Sequence, residues 1–96
     1  MVVIVTNNVK PRFRGFLSSC MLEIAPGVYT SPKINPHVRT SIWNILTNWY
    51  NFEPVGSIIM TWQTSQHPAE QEYLSLGIPQ KELVEIDGIW ILRKAL

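Results

Sequence analysis

The sequence has little of what enzymes commonly use for catalysis. It contains one cysteine, Cys20, and two histidines in 96 residues. A lone cysteine excludes an intramolecular disulfide, and without a Cys/His cluster nothing indicates a zinc site. The apolar run at residues 2–5 is too short for a secretion signal, and no run approaches the roughly 20 residues of a membrane helix. We therefore expect a soluble, cytoplasmic protein without a resident cofactor.

Acidic residues are scarce in the first part of the chain. Residues 1–39 carry five basic residues against one acidic residue, Glu23, which gives a charge of +4. Residues 40–96 carry three basic residues against six acidic ones, which gives −3. This asymmetry predicts two different partners for the two parts, although ordinary surface charge is an alternative explanation.

The chain is short but rich in apolar residues. Its composition is 46% apolar and includes four tryptophans. A domain of this size buries only about 60–65% of its unfolded surface, so a partner subunit would help to stabilise it. Part of the apolar surface is therefore expected at an interface.

The first half alternates clear strand and helix signals. Residues 2–6 are rich in β-branched residues, which predicts a buried strand. A helix follows, with Pro11 in its first turn and an apolar face formed by Phe13, Phe16, Leu17, Cys20 and Met21. On this face Cys20 is expected to be a core thiol. Pro26-Gly27 predicts a tight turn between strands at 22–25 and 28–31, and a helix continuing through Ile24 is the competing interpretation.

The second half completes the pattern. Asn35-Pro36 is a helix start, and the apolar spacing continues the helix to about Tyr50. Residues 57–63 predict a buried strand and residues 70–76 a half-exposed one, whose Glu70 and Glu72 lie on a solvated face. Asp87-Gly88 joins two further strands. The order β-α-β-β-α-β predicts an α+β, ferredoxin-like fold with an antiparallel sheet and extra C-terminal strands.

Basic residues at the first helix are the strongest candidates for function. Arg12 and Arg14 border a helix N-terminus, which attracts anions such as phosphate, while Lys81 is a second candidate phosphate contact. His37 and His67 are expected at the surface, with His37 close enough to a helix start to touch phosphate. Core packing is the better interpretation of Trp43, Trp49 and Trp62.

Several stretches together resemble one known family. They are VTNNVKPRFRG at 5–15, LEIAPGVY at 22–29, IW at 42–43, MTW at 60–62 and VEIDG at 84–88. The chain resembles, from about residue 2 to 92, the small CRISPR-associated subunit of the type I-E spacer-acquisition complex, historically called the CRISPR-associated endoribonuclease. The resemblance implies a ferredoxin-like homodimer that is held between dimers of an integrase subunit and carries a double-stranded DNA protospacer.

The resemblance also implies roles for particular residues. Arg12 and Arg14 match arginines that contact DNA, and Gln80 with Lys81 matches a basic pair, in which Gln80 removes one charge. Lys33 or His37 takes the place of a family lysine before the second helix. The resemblance further implies a core at 1–80 and a C-terminal strand segment at 81–96 that docks the integrase. The docking residues are Leu83, Val84, Glu85, Ile86, Asp87, Ile89, Trp90 and Ile91.

Asn7 is the largest departure from the family pattern. The family carries an acid there, to which nuclease activity was attributed, and an asparagine cannot supply the anionic ligand that a hard cation prefers. We therefore assign no catalytic residue and expect a non-catalytic scaffold. The alternative is an endonuclease or endoribonuclease of the same fold that uses Mg²⁺ bound by a carboxylate elsewhere. An acylphosphatase would need a glycine-bracketed phosphate loop before the first helix, which Val9-Lys10-Pro11 does not provide. A single-strand RNA binder would need aromatic residues on the first strand, and residues 2–5 contain none.

Overall fold

The computed structural model describes residues 1–66, 68–77, 81–86 and 89–94, the last two segments by their backbone alone. Its elements follow the predicted order. They are β1 (Val2–Asn7), α1 (Pro11–Cys20), β2 (Leu22–Ala25), β3 (Val28–Ser31), α2 (Pro36–Phe52), β4 (Ser57–Gln63), β5 (Gln71–Leu76), β6 (Lys81–Ile86) and β7 (Ile89–Lys94).

Five of the strands form an antiparallel sheet with the order β2-β3-β1-β4-β5. The first four strands and the two helices give the β-α-β-β-α-β arrangement, so the ferredoxin-like prediction is confirmed. β5 extends the sheet beside β4. β6 and β7 pair with each other, with Ile86 opposite Ile89, on either side of the predicted Asp87-Gly88 turn, which lies outside the described residues.

The core lies on one face of the sheet. Ile4 is opposite Tyr29 on one side and Met60 on the other, and all three are fully buried. Alternate residues of a strand point to opposite faces, so these side chains share a face. The helices cover this face with their own buried residues, which are Phe13 and Leu17 of α1 and Ile42 and Leu46 of α2.

The opposite face carries no helix but is apolar at its centre. Val5 is opposite Val28 on β3 and Ile59 on β4. Val5 is 39% exposed, and the other two are half-buried. A row of three β-branched residues open to solvent is unusual for a chain that is stable alone, since such patches mark interaction surfaces.

Local signals in the sequence account for the turns and helix starts. Gly27 has a φ of +79°, which glycine adopts without strain, and it closes the predicted β2–β3 hairpin. The Asn35 side chain accepts a hydrogen bond from Val38 N at 2.8 Å, which caps α2 as expected. The helix runs two residues beyond Tyr50, and β5 begins at Gln71 because Glu70 has a left-handed φ of +56°.

The expectation that Cys20 is a core thiol is wrong. Cys20 is exposed, although its Sγ lies 3.5 Å from the Phe16 carbonyl oxygen. It is the last residue of α1, and the chain becomes extended at Met21, which is buried in its place. A helical periodicity gives the angle of a side chain around the axis but not whether the helix end still faces the sheet.

Candidate functional site

The first candidate group lies at the start of α1, after β1 ends. Asn8 takes a left-handed φ of +59°, and Lys10 is the extended N-cap residue before Pro11. The first turn of α1 holds no acidic residue. Arg12 and Arg14 therefore add positive charge where the helix dipole and the free N–H groups already favour anions.

Arg12 is held in place by an aromatic cluster. Its guanidinium carbon lies 4.1 Å from the centre of the Trp49 ring. The Trp49 ring is itself held edge-to-face by Phe13 at 5.7 Å and Phe16 at 5.3 Å. Because Arg12 is exposed and a stacked guanidinium keeps its hydrogen-bond donors free, this group is presented to an anion in a restricted set of orientations.

Arg14 is paired within the chain instead. It lies 3.5 Å from Glu23, whose carboxylate also accepts a hydrogen bond from Gly27 N at 3.0 Å. The Tyr29 hydroxyl, followed by Glu23, raises the pKa of Arg14, and the Gly27 N–H lowers the pKa of Glu23. The buried Tyr29 hydroxyl influences these pKa values, yet no group of the described residues meets it in hydrogen-bond geometry. Arg14 therefore approaches a ligand with its charge partly compensated by Glu23.

A second cationic group surrounds the start of α2. Lys33 and His37 are exposed on either side of the Asn35 cap. Arg39, which the sequence did not single out, places its guanidinium carbon 4.0 Å from the centre of the Trp62 ring. The sequence contained part of the signal for this contact. Trp62 is two residues after Met60 and four after Ile58, so it lies on the same face of β4 and faces the helices. The half-buried Trp43, Trp49 and Trp62 do pack against the core, as expected.

The two groups lie at opposite ends of the sheet. β1 ends at Asn7, so α1 starts at that end, whereas β3 ends at Ser31 and α2 starts at the other end. Arg12 and Arg14 are consequently separated from Lys33 and His37 by most of the length of α2. Each pair lies at its own end of the sheet, and the two pairs do not form one cluster.

A polar cavity opens where β1 ends. It measures about 290 Å³ and is lined by Thr6, Asn7, Asn8, Val9, Arg14, Pro26 and Gly27. Asn7 thus borders a cavity whose charged lining residue is Arg14. Within the described part of the chain, no three His, Cys, Asp or Glu side chains converge as metal ligands do.

The C-terminal candidates are described less fully. Gln80 and Asp87 lie outside the described residues, as does His67 of the loop before β5. Lys81 is the first residue of β6, and its side chain is not described. The other predicted docking residues fall on the β6–β7 hairpin, with Leu83 opposite Leu92, Val84 opposite Ile91 and Glu85 opposite Trp90.

Two further findings concern the described helices and the sequence. Neither α1 nor α2 combines the length and the apolar character that a membrane crossing requires. A family model described as CRISPR-associated protein (Cas_Cas2CT1978) matches residues 1–91.

Proposed function

We propose that this chain, which belongs to the CRISPR-associated protein family (Cas_Cas2CT1978), is a DNA-binding scaffold for spacer acquisition. In this proposal a homodimer bridges dimers of an integrase subunit and holds duplex protospacer DNA. The observation that carries the proposal is the exposed Arg12 guanidinium, stacked on Trp49 at a helix start without acidic residues. No bond is made or broken by the scaffold itself.

The DNA contacts of this scaffold are contacts to phosphate. Arginine presents a planar fork that matches two phosphate oxygens, and the contact with Trp49 restricts where that fork can lie. Arg14, Lys33 and His37 supply further exposed donors, while Gln80 and Lys81 are carried over from the resemblance. Such contacts fix the position of a duplex without reading its sequence, as a scaffold for spacers of many sequences requires.

The helix-free face of the sheet supports the homodimer. The row formed by Val28, Val5 and Ile59 is apolar and open. A second copy packed on this face would bury the row twice, since a two-fold interface uses the same patch on both subunits. The helices, with Arg12 of α1 and with Lys33 just before α2, would then stay on the outside of the dimer and remain open to DNA.

The β6–β7 hairpin supports the integrase contact. It forms a two-stranded sheet of its own, and an isolated hairpin is marginally stable in water. An added strand or a covering surface from a partner would stabilise it. The hairpin is rich in apolar residues such as Leu83 and lies in the acidic half of the chain, with Glu85 on β6. This composition suits a partner surface that is apolar and basic.

Co-purification followed by DNA binding tests the proposal. The chain is expressed with the integrase subunit, and a short forked duplex is titrated against the complex in wild-type form and with Arg12→Ala/Arg14→Ala. A stable complex with clearly weaker DNA binding by the double variant is the expected result. Gln66→Ala, an exposed loop position at the other end of the sheet, is the control.

Two results would contradict the proposal. One is that the wild-type dimer does not bind the integrase and that the double variant binds DNA as tightly as the wild type does. The other is DNA or RNA cleavage by the isolated dimer that requires Mg²⁺ or Mn²⁺ and survives Asn7→Ala, which would favour the nuclease. Leu83→Asp and truncation after Gly88 test the hairpin separately, because an intact complex on gel filtration would remove the hairpin from the interface.

A further inference from the structure

The two helices carry charge of one sign. Residues 11–20 and 36–52 contain no aspartate or glutamate, but they contain Arg12, Arg14 and Arg39. The acidic residues of the described segments lie on β2, on β5, on β6 and in the loops. Solvent-exposed helices normally mix both signs of charge on their outer face. The two helices therefore present no negative charge that would repel a polyanion.

One polar stripe follows the outer face of α2. Its members are exposed and recur every three or four residues, which places them on one side of a helix. They are His37, Ser41, Asn44, Asn48 and Asn51. We call this set the α2 stripe. It spans about 21 Å at 1.5 Å per residue, and beyond His37 it consists of neutral amides and hydroxyls, all of which can donate hydrogen bonds to phosphate oxygens.

The α2 stripe connects the two cationic groups of the protomer. Its first member, His37, belongs to the group that includes Lys33, and its last members lie beside Trp49, on which Arg12 stacks. A duplex that touches both groups must cross the space between them. With a rise of about 3.4 Å per base pair, the stripe corresponds to roughly six base pairs.

We infer that the α2 stripe is a further DNA-backbone contact, in which Asn44 and Asn48 donate hydrogen bonds to phosphates between the two cationic ends. The inference rests on the proposed function and adds the path of the duplex across each protomer. Neutral donors hold the backbone without adding counterion release, so they leave the salt dependence of binding unchanged. The neighbouring exposed Val38, Ile45 and Phe52 would instead favour a protein partner, which the test below separates.

The decisive experiment adds charge to the stripe. Asn44→Lys/Asn48→Lys is compared with Gln63→Lys/Gln66→Lys, which adds the same charge at exposed positions outside the two helices. If phosphates pass over the stripe, the stripe variant alone should bind duplex DNA more tightly, with a salt dependence steeper by about 0.9 per phosphate contacted. Asn44→Ala/Asn48→Ala should bind about tenfold more weakly, a loss of ~1.4 kcal/mol, with an unchanged salt dependence. Lysine and alanine both have higher helix propensity than asparagine, so unfolding would not explain either result.

Three outcomes would overturn the inference. If both lysine pairs strengthen binding equally, the added charge acts at long range and the stripe is not contacted. If the alanine pair binds DNA as the wild type does while Arg12→Ala/Arg14→Ala does not, the proposed function stands but the path is wrong. If the alanine pair loses the integrase and keeps DNA, the stripe is a protein interface. If every variant, the arginine pair included, binds duplex DNA as tightly as the wild type does, the result would instead count against the proposed function itself.

Discussion

The guanidinium carbon of Arg12 lies over the ring of Trp49, at 4.1 Å from its centre, so a residue of α1 is oriented by a residue near the end of α2. The contact therefore joins α1 to α2. Their first buried residues, Phe13 and Ile42, are 29 residues apart along the chain. Cation–π stacking of this kind contributes about 0.5–1 kcal/mol at exposed sites. Its main effect is therefore to restrict where the charge points.

Arg12→Ala should weaken binding of duplex DNA and reduce the slope of log K against log salt by about 0.9 per lost contact. Arg12→Lys keeps the charge but loses the planar fork and much of the stacking. We expect it to keep the slope and lose part of the affinity. A titration at four salt concentrations checks both, and equal slopes for Arg12→Ala and wild type would show that Arg12 makes no phosphate contact.

Val5→Asp should convert a dimer into a monomer. The substitution puts a carboxylate between Val28 and Ile59, where a second copy would have to desolvate it without a partner. Because Val5 is 39% exposed in the protomer, the fold itself should tolerate the change. Sedimentation velocity measures the mass directly, with Gln66→Glu as the charge-matched control. A dimeric Val5→Asp variant would move the interface off this face.

Acid should remove the stabilising effect of Glu23. The Gly27 N–H holds the pKa of Glu23 below its ordinary value of 4.5. A lowered folded-state pKa stabilises the protein above the unfolded pKa, and this contribution is lost as pH falls through the folded pKa. Glu23→Gln should thus be less stable than wild type at about pH 6.5, and the difference should shrink by about pH 3. Thermal melts at both pH values test this, and a gap that widens in acid would contradict it.

Cys20 should react with a thiol reagent in the folded protein. It is exposed, but partial burial raises the pKa of its thiol, so that less of the reactive thiolate is present at neutral pH. Complete labelling by Ellman's reagent without denaturant, more slowly than for free cysteine, is expected. Labelling that requires denaturant would show that the thiol is enclosed in the dimer or in the core.

Gly56→Ala should destabilise the fold. Gly56 has a φ of +80°, and a Cβ there would collide with the backbone oxygens of Asn7 and Asn8. A strained residue of this kind lowers the free energy of unfolding by about 1–3 kcal/mol. For a domain of this size, each kcal/mol lowers the melting temperature by roughly 4–8 °C. Gly15→Ala is the control, because a Cβ at Gly15 meets nothing within 4 Å. Equal melting temperatures for the two variants would contradict the collision.

The sequence predicted most of the fold because its signals are local. Pro26-Gly27 and Asn35-Pro36 carry their own turn and cap chemistry, so each element boundary near them could be placed without knowledge of the rest of the chain. Cys20 was misplaced because its exposure depends on where the helix ends over the sheet. Periodicity does not contain that information.

The candidate site was only partly predictable, for a similar reason. Arg12 and Arg14 stand out because a helix start attracts anions wherever it lies. The contact between Arg39 and Trp62 depends on the register of β4 beneath α2, which is a long-range property. The separation of the cationic groups likewise follows from strand directions, which became visible only when the sheet order was known.

The glycine contacts at the end of β1 bear on how the chain can change in length. Gly56 abuts the backbone of Asn7 and Asn8, a Cβ at Gly77 would meet Gly56 and Tyr50, and the Tyr50 hydroxyl donates to Gly56 O at 3.0 Å. Three connections therefore meet at one point, and a residue inserted in any of them displaces the other two. Insertions and deletions during divergence should accumulate instead at the opposite end, in the connections before α2 and between β4 and β5.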